Sequence, residues 1–160
     1  MPCQRNAYFC RRELCDIIMN FLIFDVETTG LPKNRYASYS DSDNWPHIVS
    51  IAWKLCDETN DLIESYYAII KPDGFIIPYD SVMIHGITHQ MASDRGENLK
   101  QVLEKFCSSA NRADFLVGHN VDFDYSIVCA ELIRCGLETT IDKLVRICTM
   151  ETSINLITVV

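Results

Sequence analysis

No stretch of eighteen consecutive apolar residues occurs in this 160-residue chain, so no membrane-spanning helix is expected. The N-terminus lacks the apolar segment and small-residue cleavage site of a signal peptide. None of the eight cysteines (Cys3, Cys10, Cys15, Cys56, Cys107, Cys129, Cys135 and Cys148) pairs with another at Cys-x-x-Cys spacing, which argues against a zinc ribbon or a dithiol redox pair. Their irregular placement, several within apolar runs, suits reduced thiols packed as small hydrophobes in a cytoplasmic protein. Internal repeats and low-complexity tracts are missing too. Basic residues are scarce: 14 Lys and Arg stand against 22 Asp and Glu, for a net charge of −8. Such a chain has no global attraction for a phosphate backbone. Any handling of nucleic acid must rest on bound cations or a small basic patch.

What is present is ordinary for a globular domain. Apolar residues make up 48% and charged residues 22%. A chain of this length buries about 68–70% of its unfolded surface and needs no staples. Residues 1–18 read differently from the rest, with Arg5, Arg11, Arg12 and three cysteines but no periodicity. They are expected to be an extension before a domain spanning residues 19–160, with Met19 as its natural start. A short N-terminal helix packed on the domain is the other reading.

From Met19 the text alternates between strand and helix patterns. Phe21–Val26 is a continuous apolar run, as in a central strand. The polar stretch Pro32–Pro46 reads as a long mobile loop. His47–Cys56 and Leu62–Ile70 are strand-like and separated by a polar hairpin loop. Leu99, Val102, Leu103, Phe106 and Cys107 form one face of an amphipathic helix. Asp94 and Glu97 have the spacing of a capping box before it. Phe115–Gly118 predicts a short strand. Asn120 is placed to cap a helix that runs to about Cys135 and stops at Gly136. Lys143–Cys148 predicts a last strand. The order β-β-β-α-β-α-β specifies an α/β fold with one mixed five-stranded sheet flanked by helices.

Chemistry concentrates at the end of the first strand. Asp25 and Glu27 stand at i and i+2, so their side chains share a face. Two adjacent carboxylates repel, and a divalent cation resolves the conflict. Hard oxygen ligands suit Mg²⁺ or Mn²⁺. Thr28, Thr29 and Gly30 follow with hydroxyls and close-approach backbone. Asp-x-Glu alone is a weak signal, but the string from Asp25 to Gly30 is expected by chance in roughly one chain in ten thousand of this length. A second signal is Gly118-His119-Asn120-Val121-Asp122-Phe123-Asp124, at a strand-to-helix junction. Asp124 falls in the first helical turn, from which it can point back to the strand of Asp25. Asp122 reads as a solvated charge. A third segment, His85-Gly86-Ile87-Thr88, is by itself only a turn.

Together these segments resemble the DnaQ-like 3′–5′ exonucleases, a family with a ribonuclease-H-like fold that includes polymerase proofreading subunits. The first motif is Phe24-Asp25-Val26-Glu27-Thr28-Thr29-Gly30-Leu31-Pro32 and the second His119-Asn120-Val121-Asp122-Phe123-Asp124. The His85-Gly86-Ile87-Thr88 turn and Trp45–Trp53 match as well. The resemblance covers about Phe21–Thr152. It implies two Mg²⁺ or Mn²⁺ ions held by Asp25, Glu27 and Asp124. It also implies a terminal-nucleotide pocket lined by Thr28, Thr29, Gly30, Leu31, His85 and Asn120. The implied partners are a single-stranded DNA or RNA 3′ end and, for a proofreading subunit, a DNA polymerase.

One departure stands out. The family's third motif places a histidine five residues before an aspartate near a final helix, supplying a general base and a fourth carboxylate. Here the last histidine is His119 and the last aspartate Asp142. The expectation is a ribonuclease-H-like domain with its final helix truncated, either a fragment of the enzyme or impaired in hydrolysis. A non-catalytic module that binds nucleic-acid ends or a polymerase is the alternative.

Overall fold

The structure, a computed structural model, describes residues 18–138 and 141–152. Both readings of residues 1–18 therefore fall, except for Ile18, outside the described residues, as does the tail from residue 153.

Five strands form one mixed sheet in the order β3-β2-β1-β4-β5. They are β1 (Asn20–Thr28), β2 (Ile48–Asp57), β3 (Leu62–Ile69), β4 (Phe115–Gly118) and β5 (Val145–Cys148). The first three are an antiparallel meander, with a long connection through the 29–47 segment between β1 and β2 and a short hairpin loop between β2 and β3. β4 and β5 then add in parallel on the other side of β1. This makes β1 the central strand, and its sequence shows it: Leu22, Phe24 and Val26 are buried while Ile23 and Asp25 alternate outward. The expected fold class is the observed one.

Among the described residues the sheet is accompanied by the α-helices α1 (Tyr79–His85), α2 (His89–Arg95), α3 (Leu99–Ala110) and α4 (Val121–Arg134). Val102, Leu103 and Phe106 of α3 and Ile127, Val128 and Leu132 of α4 pack with Leu22, Phe24, Val26, Ile51 and Trp53 into the main core. Each such fully buried side chain contributes about 1.5–3 kcal/mol relative to exposure. A smaller cluster of Val49, Ile77, Ile87 and Ala92 gathers the α1–α2 turn, with Ile69 packed against it. Helical residues resume at Thr149 and continue to Thr152 at the end of the described chain.

Four expectations differ from the structure. The segment before α3 holds two short helices instead of a single turn, so His85 ends α1 and Thr88 caps α2 through its side chain. Seven-residue helices with one buried position each carry too little apolar periodicity to register in a sequence pattern. The Asp94–Glu97 pair is not a capping box. Asp94 lies inside α2, and the side chain of Asn98 caps α3 by accepting from the Gln101 N–H. Asn120 precedes α4 but makes no side-chain cap; its backbone is left-handed at φ 63°. Finally, Pro32–Pro46 is a chain of hydrogen-bonded turns. Asn34 and Asn44 exchange bonds across it, and Trp45 Nε1 donates to the Ser38 carbonyl. Polar composition signals the absence of a core stripe there, but not the side chain-to-backbone bonds that order the segment.

Candidate active site

The C-terminal end of β1 is where the sheet brings its acids together. Asp25 and Glu27 alternate with Val26, so the strand buries Val26 and turns both carboxylates to the opposite face. The β1–β2 register is interrupted between Glu27 and Thr28. That irregularity shifts the pairing so that Thr28 stands opposite Ile48, and the ladder ends there with Thr29 and Gly30 beyond it. Thr28 Oγ1 donates to the Gly30 carbonyl at 2.7 Å, and Thr29 exchanges bonds with His47 through its N–H and hydroxyl. Gly30 has φ 150°, outside the comfortable range of a residue with a Cβ, and nothing stands within 4 Å of where that Cβ would lie. The motif thus ends in backbone that is fixed and open on one side.

Asp124 comes to the same place from the other direction. β4 runs parallel to β1 and ends at Gly118, so the first turn of α4 begins above the end of β1. From that turn Asp124 Oδ1 accepts the backbone N–H of Val26, the residue between Asp25 and Glu27, at 3.1 Å. Asp124 is only 3% exposed. Burial, and the nearby charges of Asp25 and Glu27, push its carboxyl up to about 7, while the Val26 N–H pulls the other way. Among the described residues no Lys, Arg or His forms an ion pair with Asp25, Glu27 or Asp124. Three acids near one strand end, one of them buried and none paired with a base, fit a hard divalent cation in kind. Among the described residues no three His, Cys, Asp or Glu side chains form a metal-holding group.

The expected pocket residues divide into those whose surroundings are defined and those that stand free. Thr28, Thr29 and Gly30 lie in the turn just described. Leu31 is 82% exposed, and Leu31 and Asn120 line a common cleft. His85 lies on the α1–α2 turn, whose Ile87 packs in the small cluster beside Ile69. Ile69, Ser50 and Glu27 are successive partners across β3, β2 and β1, so this turn packs on the Glu27 face. His85 Nδ1 accepts the Ile87 N–H at 3.0 Å. Nε2 is then the N–H donor of the neutral ring, and it is buried without a hydrogen-bond partner among the described residues. His119 instead contacts Thr149, through Nδ1 and Oγ1 at 3.2 Å. Asp122, expected to be a free solvated charge, is exposed but pairs with Arg146 at 2.8 Å.

Sequence reasoning missed the group that frames the site. Glu131, 1% exposed on α4, accepts from the Ile48 N–H at 3.1 Å and stands 3.2 Å from His47 Nδ1 and 3.0 Å from Arg134. Arg134 also donates to the carbonyls of Ser42, Trp45 and Pro46. Through it α4 holds the 31–46 turns in place. A glutamate within the apolar run Ile127–Leu132 was the available signal.

The sequence profile of the exonuclease family (RNase_T) matches residues 22–157. This chain belongs to that exonuclease family. The DNA polymerase III subunit epsilon of Haemophilus influenzae is 28% identical over 123 residues, which are 77% of this chain and 45% of that protein. The DNA polymerase III PolC-type of Pediococcus pentosaceus is 32% identical over 120 residues, 74% of this chain and 7% of that one. Apo exonuclease I superposes with a TM-score of 0.68 at 22% identity, covering 84% of this chain and 30% of the other. A likeness at that identity establishes the fold. The same enzyme from E. coli has been solved with a dT13 oligonucleotide. The exonuclease-family chain described here thus spans less than half the length of these curated relatives. Among its described residues no helix is long and apolar enough to cross a membrane. No disulfide joins the described cysteines Cys56, Cys107, Cys129, Cys135 and Cys148.

Proposed function

We propose that this chain is the nuclease domain of a 3′–5′ exonuclease that releases nucleotides from a single-stranded DNA or RNA 3′ end with two Mg²⁺ or Mn²⁺ ions. The observation that carries this is Asp124, buried on the Val26 N–H between Asp25 and Glu27 with no basic partner among the described residues. Asp25, Glu27 and Asp124 would hold the metal. When bound, such ions lower the pKa of a water and stabilise the leaving oxygen of a phosphodiester.

The chain's own residues orient and bind. The Val26 N–H fixes the Asp124 carboxylate relative to its neighbours on β1. Thr28, Thr29 and the open backbone of Gly30 receive the terminal sugar, with Leu31 and Asn120 beside them. The His85 Nε2–H is a donor awaiting an acceptor, which a sugar or phosphate oxygen of that nucleotide supplies. The similarity to a polymerase III epsilon subunit supports a DNA polymerase as partner.

A second reading is a module that binds 3′ ends without turnover. It is favoured by the lack, among the described residues, of a preassembled metal-holding group. The two are separated by incubating a 3′-terminal-labelled oligonucleotide with the chain, with and without Mn²⁺. Metal-dependent release of mononucleotide, reduced at least about a hundredfold in Asp25→Asn, supports the exonuclease. Metal-dependent binding with no release supports the end-binding module. Release that is equal in Asp25→Asn would sink the site assignment.

A further inference from the structure

A cleft of about 600 Å³ runs between the 31–46 turns, the start of α4 and β5. That is the size of a small-ligand site. Its lining is aromatic and basic: Tyr36, Tyr39, Arg35 and Arg146 stand along it, with Leu31 and Asn120 on its border with the candidate active site. Tyr36 is 86% exposed, so its ring face is open to a ligand. The backbone that carries it is nevertheless built. The Tyr36 N–H donates to Asn34 Oδ1, Asn34 is tied to Asn44, and Arg134 holds the carbonyls farther along. Arg146 is also positioned in advance. Its Nη1 reaches Asp122 at 2.8 Å, and its guanidinium lies 4.3 Å over the Tyr125 ring. Asp122, the acid of the cleft, is neutralised by that contact. Arg35 stands 5.8 Å from the centre of the Tyr36 ring. In a chain of net charge −8, a cleft whose two arginines outnumber its one acid, beside exposed aromatic faces, is a local patch suited to nucleic acid.

We propose that this cleft holds the nucleotides upstream of the 3′-terminal one. A base stacks on Tyr36 while Arg35 and Arg146 take the flanking phosphates. This rests on the exonuclease reading, because Leu31 and Asn120 belong both to the cleft and to the proposed terminal-nucleotide pocket. Aromatic stacking accepts any base but needs its face free of the neighbouring bases, which a duplex keeps stacked, so the cleft selects single strands. It also sets a length requirement that a terminal nucleotide alone cannot meet.

The test measures binding, in Mg²⁺, of dTMP and of a labelled oligothymidylate about eight nucleotides long with uncleavable phosphorothioate linkages. Tyr36→Ala weakens the oligonucleotide roughly tenfold and leaves dTMP unchanged; Tyr36→Phe, which keeps the ring, restores it. Arg146→Ala weakens the oligonucleotide and makes the salt dependence shallower by about one phosphate contact. Tyr36→Ala binding the oligonucleotide as wild type does, with dTMP still bound, overturns the cleft and leaves the exonuclease reading standing. Wild type that binds neither dTMP nor the oligonucleotide overturns both. A blunt duplex bound as tightly as the single strand overturns the proposed selectivity.

Discussion

Two acids on α4, Asp124 and Glu131, are seven residues apart and therefore share a helix face. Both are buried, at 3% and 1% exposure. Glu131 has a cation, a histidine and a backbone N–H around one oxygen. Asp124 has one backbone N–H and two negative neighbours. One acid is therefore finished as a piece of structure, and the other is incomplete until something positive arrives. A buried acid is not itself a functional signal; a buried acid that the protein leaves without a counter-charge is. Removing each should accordingly have opposite consequences for stability.

The largest effect belongs to Glu131. Glu131→Ala leaves Arg134 without its carboxylate and the buried Ile48 N–H without an acceptor. Breaking one side of a buried pair costs about 3–5 kcal/mol. In a domain of this size that lowers the thermal midpoint by about 10 °C or more, measured by circular dichroism. The loss should reach the 31–46 turns, because Arg134 holds them. A midpoint within a degree or two of wild type would mean that the Glu131 cluster does not frame the site.

Asp124→Asn should go the other way. Asparagine keeps an acceptor for the Val26 N–H and removes the charge. The folded carboxyl sits at about 7, raised from an ordinary 3.8, so between those values the folded state holds a proton that the unfolded chain has lost. Stability of the metal-free protein is thus highest below about pH 4 as far as this group is concerned. It falls as the pH rises toward 7 and stays low above that. The shift corresponds to at most about 4 kcal/mol. In chelator at pH 8, Asp124→Asn is expected to be more stable than wild type, and its midpoint should lose most of the decline between pH 4 and 7. A less stable mutant at pH 8 would show that Asp124 is structural after all, like Glu131.

A cation should close the gap between the two acids. Mg²⁺ or Mn²⁺ binds the folded carboxylates and not the dispersed chain, which at a hundred times the dissociation constant adds about 2.7 kcal/mol. The midpoint should rise with metal in wild type but not in Asp25→Asn. An equal rise in both would place the ions elsewhere.

Much of this contrast was legible before the structure. The apolar run Phe21–Val26 specified a central strand, the i, i+2 spacing put Asp25 with Glu27 on one face, and the strand-to-helix junction at Gly118–Val121 put Asp124 near them. The partner of Asp124 was not legible, because a bond to the Val26 N–H spans 98 residues and leaves no trace in local spacing. Glu131 was hidden for the same reason: its partners His47 and Ile48 lie more than eighty residues away. The short helices α1 and α2 were missed because they bury one residue each. Tyr36 was passed over because a polar loop reads as featureless until its side chain-to-backbone bonds are seen.

The smallest effect concerns a half-buried acid at the other end of the sheet. Glu64 on β3 accepts from Ser109 and Trp53 and pairs with Arg112 at 2.7 Å. The Ser109 hydroxyl foremost, with Trp53 and Arg112 adding to it, holds the carboxyl below its usual 4.5 against some desolvation. A depressed carboxyl contributes stability above its unfolded value and loses it as the pH falls through the folded one, the reverse of Asp124. The metal-free midpoint should therefore pass through a maximum at about pH 4–5, with Glu64 on its acid side and Asp124 on its neutral side. The Glu64 side chain is 32% exposed and its partner Arg112 more so, and solvent screening keeps its share within about 1 kcal/mol. Glu64→Gln should flatten the acid limb slightly and leave the neutral limb as it is. A change in the neutral limb instead would mean that the two ends of the sheet are electrostatically coupled, and that Asp124 is not isolated from basic partners in the way its surroundings indicate.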